Sequence, residues 1–120
     1  MTRTRLPNRR PSITLPVEWL TGDGVHHFTL TAGFCPTTGA LREVFYADGQ
    51  RHGSQMQHTV QDACVLISLL LQYGVHVTAL AGSLGSVPVY GANAPASPIG
   101  VIADALAALE AGLSRMEVWE

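Results

Sequence analysis

The chain has 120 residues, of which 47% are hydrophobic, and its formal net charge at pH 7 is -2. This length corresponds to one globular domain, and the apolar fraction is high enough for a hydrophobic core. All seven basic residues are arginines, which excludes functions that need a lysine, namely Schiff-base catalysis and phosphate binding by a P-loop.

The sequence shows no signal for membrane insertion or secretion. Its most apolar segment, residues 63–75, is shorter than the stretch of about 18 apolar residues that marks a membrane-spanning helix. The arginines of the first ten residues are not followed by an apolar stretch, as they would be in a secretory signal. We therefore expect a cytoplasmic protein without membrane association.

Residues 1–11 are predicted to form a flexible, arginine-rich arm, because proline, arginine and polar residues follow one another without an apolar period. Such an arm is either solvated or binds an acidic partner or nucleic acid through counterion release. The rest of the chain is acidic and does not interleave basic with aromatic residues, which argues against nucleic acid. The sequence favours the solvated arm.

Alternating apolar and polar residues predict three strands. Residues 13–19 alternate in this way, and Pro16 among them argues for an edge strand. Residues 25–34 form the second strand and residues 41–47 the third. Short connections favour an antiparallel meander. The apolar face of the second strand consists of Phe28, Leu30, Ala32 and Phe34.

After the three predicted strands, the apolar residues recur at the spacing of a helix. Residues 56–71 predict a long helix with Ser54 as its N-cap and Gly74 just past its end, and because it is apolar on all sides we expect it to be the most buried element. Residues 77–84 predict a shorter helix, and the composition of residues 85–96 predicts a loop.

The last helix is predicted to begin with an N-cap and N1 pair, Ser97 and Pro98. The predicted fold class is α+β, with a three-stranded antiparallel sheet followed by two or three helices packed on one face. The domain is expected to span residues 12–113, followed by a C-terminal tail over 114–120. The apolar stripe of the last helix consists of Ile99, Ile102, Ala103, Leu106 and Leu109.

The turn before the long helix is a candidate anion-binding site. Helix N-termini carry free N–H groups and partial positive charge, to which an arginine and a protonated histidine would add. The alternative is a structural joint, a glycine-containing turn followed by an N-cap, and the sequence favours it because phosphate sites usually contain more glycines at fixed spacing. Both interpretations stay open. The candidate ligand-binding residues are Arg51, His52, Gly53, Ser54 and His58.

Other chemistry-bearing residues predict no site. His26 and His27 are adjacent on a strand and point to opposite faces, so they cannot share a metal ion, and no third ligand accompanies His52 and His58. Cys64 is expected to be a small core residue, and Cys35, in a turn without a charged neighbour, is not expected to be reactive. No catalytic residue is assigned, although Glu43 near a histidine is the combination used in general acid–base catalysis.

Five segments follow one another along the chain as "RRPSITLP", "HHFTLTAGF", "GALREVFYADGQRHGS", "ACVLISLLLQYGV" and "ASPIGVIADALAAL". In this order they resemble the TSCPD domain family. The domain occurs at the C-terminal end of vitamin B12-dependent, adenosylcobalamin class II ribonucleoside-diphosphate reductases and as short stand-alone proteins. The resemblance covers residues 9 to 110.

The resemblance implies kinship with a reductase domain without transferring the reaction. In the reductases, catalysis belongs to a separate barrel with a radical-carrying cysteine and a cobalamin site, which have no counterpart here. We therefore expect no cofactor in this chain, adenosylcobalamin being a family association only. The leading hypothesis is an accessory module, not catalytic by itself, that binds a partner or a small ligand. The alternative is a component or nucleotide-binding regulator of deoxyribonucleotide synthesis.

We also expect a homo-oligomer, most simply a dimer. The alternation of the third strand places Val44 and Tyr46 on one face and Leu41 and Phe45 on the other, so both faces would carry large apolar groups. Phe45, with the face of Thr29 and Thr31, is the expected contact, unless the loop over residues 87–95 covers it within the chain. A reductase or a nucleotide or anion ligand are the other expected partners.

Overall fold

Three antiparallel strands form the first half of the computed structural model, which describes residues 2–21, 24–47, 55–89 and 91–118. They are β1 (Ser12–Thr21), β2 (Gly24–Phe34) and β3 (Leu41–Ala47), in the order β1-β2-β3. The predicted meander is confirmed, and so is the edge position of the strand that contains Pro16, since β1 pairs with β2 alone within this sheet. Pro16 has no backbone N–H to offer, which an edge strand tolerates.

The two faces of the sheet differ as the alternation predicts. Leu30 and Ala32 of β2 are fully buried, beside Phe28 and β1 residue Val17. On the opposite face, the hydroxyl oxygens of Thr14 and Thr31 lie 2.9 Å apart across the β1–β2 pair. The core therefore lies on one side of the sheet, and a face rich in threonine lies on the other.

A β-bulge changes the face of Leu41, which the alternation placed with Phe45. Gly33 pairs with Glu43, whereas the next residue, Phe34, pairs with Leu41, so Arg42 is an extra residue in β3. Because of the extra residue, the Leu41 side chain points to the inner face of the sheet, where it is 3% exposed. Phe45 lies on the outer face and is 52% exposed. The expectation that Leu41 and Phe45 share the outer face is wrong.

Helix α1 (Gln55–Gln72) packs on the inner face of the sheet, mainly against β3. Its buried residues Val60, Cys64, Ile67 and Leu71 recur at helical spacing. The helix ends in a Schellman motif, in which Gly74 (φ +94°) donates to the Leu71 carbonyl and the following N–H donates to the Leu70 carbonyl. This confirms the predicted C′ glycine, whereas the predicted N-cap, Ser54, lies outside the described residues.

The opposite side of α1 is exposed, so the expectation that it is the most buried element is wrong. Val65 and Leu66 are more than half exposed and Leu70 is 41% exposed. A sheet covers one side of a helix only, and in the described part of the chain no other element packs extensively on α1. The fully buried helical residues lie instead mostly in the last helix, at Ile102, Ala103 and Leu106.

A short helix and a hairpin follow. Helix α2 (Val77–Ser83) lies where the sequence predicts it. The segment predicted as a loop is instead a hairpin of β4 (Ser86–Val89) and β5 (Ala92–Pro95). Gly91, the residue before β5, has a φ of +82°, a backbone conformation that favours glycine and is common in hairpin turns.

Helix α3 (Pro98–Val118) ends the described chain. The Ser97 hydroxyl accepts a hydrogen bond from the Gly100 N–H at 3.1 Å, which confirms the predicted N-cap and N1 pair. The helix continues past residue 113, where the tail was expected to begin. Together these elements confirm the predicted α+β class. Within the described ranges, no helix is long and apolar enough to cross a bilayer.

Candidate functional site

The turn predicted as an anion site falls mostly outside the described residues. Arg51, His52, Gly53 and Ser54 precede the first described residue of α1, Gln55. His58 is described, and it is exposed in the first turn of that helix. Whether this turn is a joint or a ligand site therefore stays a prediction.

The described histidines of β2 lie on opposite faces of the sheet. The His26 ring packs against Trp19, with ring centroids 5.3 Å apart, whereas His27 lies 3.7 Å from a Glu18 carboxylate oxygen on the other face. In the part of the chain that the structure describes, no three histidine, cysteine or acidic side chains are grouped so that they could hold a metal ion.

A groove of about 630 Å³ lies between the edge strand β1 and helix α3, with β5 at its side. We call it the β1–α3 groove. Five consecutive residues of β1, from Leu15 to Trp19, line it, including residues from both faces of the strand. It therefore runs along the free edge of the sheet. The other lining residues are Ala94, Pro95, Val101, Asp104, Ala105, Ala108 and Leu109.

The groove exists because the helix presents small side chains to the strand. Ala105 and Ala108 fill little of the space between α3 and β1 and leave Trp19 half-buried beside it. Glu18 and Asp104 contribute exposed carboxylates, and the described residues that line the groove include no basic one. Its described surface is therefore mainly apolar with two acidic groups.

The hairpin that the sequence failed to predict forms part of the groove. Ala94 and Pro95 of β5 line it, and a Cβ on Gly100 would lie 2.9 Å from the Cβ of Pro95. Gly100 thus allows the hairpin to approach the first turn of α3. A smaller pocket of about 200 Å³ adjoins the groove through Ala94, Pro95 and Asp104.

The N-terminal arm is hydrogen-bonded to the domain at several points. The Arg3 Nε donates to the Gln72 side-chain oxygen at 2.5 Å, and the Thr4 N–H donates to the Gln72 carbonyl at 2.7 Å. Arg42 donates to the Leu71 carbonyl at 2.6 Å, so two arginines lie at the C-terminal end of α1, where positive charge is favourable. Arg10 forms an ion pair with Glu43. These arginines have structural partners.

Cys35 has a more reactive environment than the sequence predicts. Hydrogen bonds from the Thr38 side chain and from the backbone of Thr38 and Thr37, with a smaller contribution from the Arg42 charge, lower the pKa of the Cys35 thiol from 9.0 to about 7. The sequence signal was present, because two threonines follow Cys35 and Pro36 in the same turn. Cys64 shows the opposite effect, since burial raises its thiol pKa to about 11.

Comparison with known proteins tests the resemblance. The family model of the TSCPD domain matches residues 4–110. Searches of curated proteins and of solved structures returned no match to the chain. The match begins at the fourth residue of the arm. It covers the whole of β1 to β5, α1 and α2, and more than half of α3. The chain therefore belongs to the TSCPD domain family.

Proposed function

We propose that this TSCPD domain is an accessory module, without catalysis of its own, that binds an apolar segment of a partner protein in the β1–α3 groove. The groove itself is the observation that carries the proposal. Its volume of about 630 Å³ lies within the range of about 300–1,000 Å³ that is usual for ligand pockets, and its lining is mainly apolar.

The position of the groove favours an extended segment as its occupant. β1 is an edge strand, and β1 residues from both faces line the groove, so the free edge faces it. An extended segment can bind such an edge by backbone hydrogen bonds and place alternate side chains in pockets. Pro16 lacks an N–H, so it provides no donor at one position.

Charge adds a second feature of the proposed partner. The exposed carboxylates of Glu18 and Asp104 lie beside an apolar surface, and the described residues of that surface include no basic one. Complementary charge on the partner would fix the register of the bound segment. We therefore propose a segment of apolar residues that also carries arginine or lysine.

The family suggests which partner to test first. The TSCPD family, as the sequence resemblance implies, includes domains at the C-terminal end of vitamin B12-dependent ribonucleotide reductases, and this supports a reductase as the partner. We propose that the chain binds the catalytic chain of such a reductase in the cytoplasm and thereby takes part in deoxyribonucleotide synthesis. The catalytic chain to use is one that lacks a TSCPD domain of its own.

The experiment is calorimetric titration of that catalytic chain with the purified protein and two variants. Ala108 and Ala111 are both exposed on α3, but only Ala108 lines the groove. Ala108→Arg should weaken binding at least about tenfold, which is about 1.4 kcal/mol, whereas Ala111→Arg should bind like the parent. Absence of binding by the parent, or equal binding by both variants, would contradict the proposal.

Two further measurements separate this function from its alternative. A rise in melting temperature with nucleotides that Arg51→Ala abolishes would favour a nucleotide-binding regulator instead. Reduction of a ribonucleotide by the purified chain, supplied with adenosylcobalamin and a reductant, would contradict an accessory role.

A further inference from the structure

The outer side of α1 carries an apolar surface that the proposed groove does not use. Val65 is 58% exposed, Leu66 61%, and Leu70 and Tyr73 41% each. The sequence from residue 63 to residue 75 contains no arginine, lysine, aspartate or glutamate. Contiguous exposed apolar residues of this kind usually mark an interface.

These residues form one stripe along the helix. Asp62, Leu66, Leu69 and Tyr73 follow one another at intervals of four, three and four residues, the spacing of a helix–helix seam. Val65 and Leu70 lie on its two flanks. At 1.5 Å per residue the stripe is roughly 16 Å long. We call these six residues the α1 stripe.

We propose that the α1 stripe is the contact between two copies of this chain, packed antiparallel about a two-fold axis. In this arrangement Leu66 lies beside the partner's Leu70, and Val65 lies beside the partner's Leu69. The Asp62 carboxylate of each copy accepts a hydrogen bond from the hydroxyl of the partner's Tyr73.

The stripe is self-complementary, which makes a second copy its occupant. Its two polar groups lie at opposite ends, a carboxylate at Asp62 and a phenol at Tyr73, with leucines between them. An antiparallel copy therefore pairs unlike groups at both ends, as a two-fold contact requires. A parallel copy would oppose the two Asp62 carboxylates, and no arginine or lysine of α1 could offset their repulsion.

This interface differs from the one that the sequence predicts. Phe45 is exposed, but it lies on the threonine-rich outer face of the sheet and pairs across the strands with Thr31. The α1 stripe has several large apolar residues side by side, and it lies on the opposite side of the sheet. Phe45 is therefore a suitable control position.

The experiment is light scattering at micromolar concentration on the full chain and two variants that place a carboxylate on an exposed apolar position. We expect a dimer mass for the parent, a monomer mass for Leu66→Glu and a dimer mass for Phe45→Glu. Circular dichroism melts confirm that each variant is folded. A monomeric parent, or a folded Leu66→Glu chain that remains a dimer, would overturn the proposal.

A double-mutant cycle tests the antiparallel register. Asp62→Asn and Tyr73→Phe should each weaken dimerisation by about tenfold, and the double variant should be little weaker than either single one. Because the two residues lie three helical turns apart within one chain, they can be coupled only between copies. Independent effects that multiply in the double variant would overturn this register.

Discussion

Glu43 and Gly33 face each other across β2 and β3 so closely that a side chain on residue 33 would collide with the glutamate. A Cβ on Gly33 would lie 2.7 Å from the Glu43 Cδ. Glu43 is buried at 8% exposure, and its carboxylate is paired with Arg10 of the N-terminal arm. The glycine thus makes room for the ion pair that holds the arm against the sheet.

Gly33→Ala should lower the free energy of unfolding by about 2 kcal/mol, because the new methyl group displaces Glu43 and strains its pair with Arg10. Urea denaturation measures this loss. Gly82→Ala in α2 is the matched control. A Cβ there meets nothing within 4 Å, so it should stabilise the helix by about 0.5–1 kcal/mol. Equal stability of the Gly33→Ala chain and the parent would show that Glu43 moves aside without cost.

Cys35 should be alkylated by iodoacetamide well below the pH at which an ordinary thiol reacts. Its pKa is lowered to about 7, so about half of the thiol is ionised at neutral pH, and the rate should rise most steeply around that pH. Thr38→Val removes the largest stabilising hydrogen bond and should move the midpoint towards the ordinary value of 9.0.

Cys64 is the internal control for this reaction. It is buried, and its pKa is raised to about 11, so the folded protein should show almost no adduct there. Mass spectrometry of the digested protein separates the two sites. A Cys35 midpoint near 9 in the parent would contradict the arrangement of the turn.

The N-cap of α3 can be tested by removing one oxygen. Ser97→Ala deletes the acceptor for the Gly100 N–H and should cost about 1 kcal/mol of stability. Ser86→Ala is the control, because Ser86 lies exposed in strand β4 and caps no helix. Removal of its hydroxyl should change stability by less than about 0.5 kcal/mol. Similar melting temperatures for both variants would mean that the cap contributes nothing measurable.

Local patterns were sufficient to predict most of the fold. Alternation defined the three strands, Gly74 marked the end of α1, and Ser97 with Pro98 marked the start of α3. These signals act within a few residues, so they can be read along the chain. The family match over residues 4–110 agrees with the resemblance that the same segments carry.

The features that the sequence did not predict depend on position or on distant partners. The bulge at Arg42 changes the pairing register of β3, and the alternation of apolar and polar residues in that strand gives no sign of it. The sequence predicts a loop over the hairpin because Pro88 and Gly91 are typical of loops, although both also fit a short exposed β-hairpin. The exposed side of α1 has the same composition as its buried side, so only packing distinguishes them.

The candidate groove could not be predicted for a related reason. Residues of β1, β5 and α3 line it, and these elements are separated by up to about 90 positions in the chain. The predicted anion turn, by contrast, is local, and its test remains the thermal response to anions. The low pKa of Cys35 arises from hydrogen bonds with threonines in its own turn. The sequence expectation considers only charged neighbours of the thiol and therefore misses them.

Hydrogen exchange measured by mass spectrometry, with and without the reductase catalytic chain, tests the proposed binding mode most directly. We expect slower amide exchange when the complex forms in the peptides that cover residues 15–19 and 101–109, because these peptides contain the β1 and α3 residues that line the β1–α3 groove. Exchange in the peptide over residues 62–73 should not change, because the α1 stripe is proposed to be occupied by a second copy in both samples. A complex that forms without protection of residues 15–19 would contradict binding in the groove.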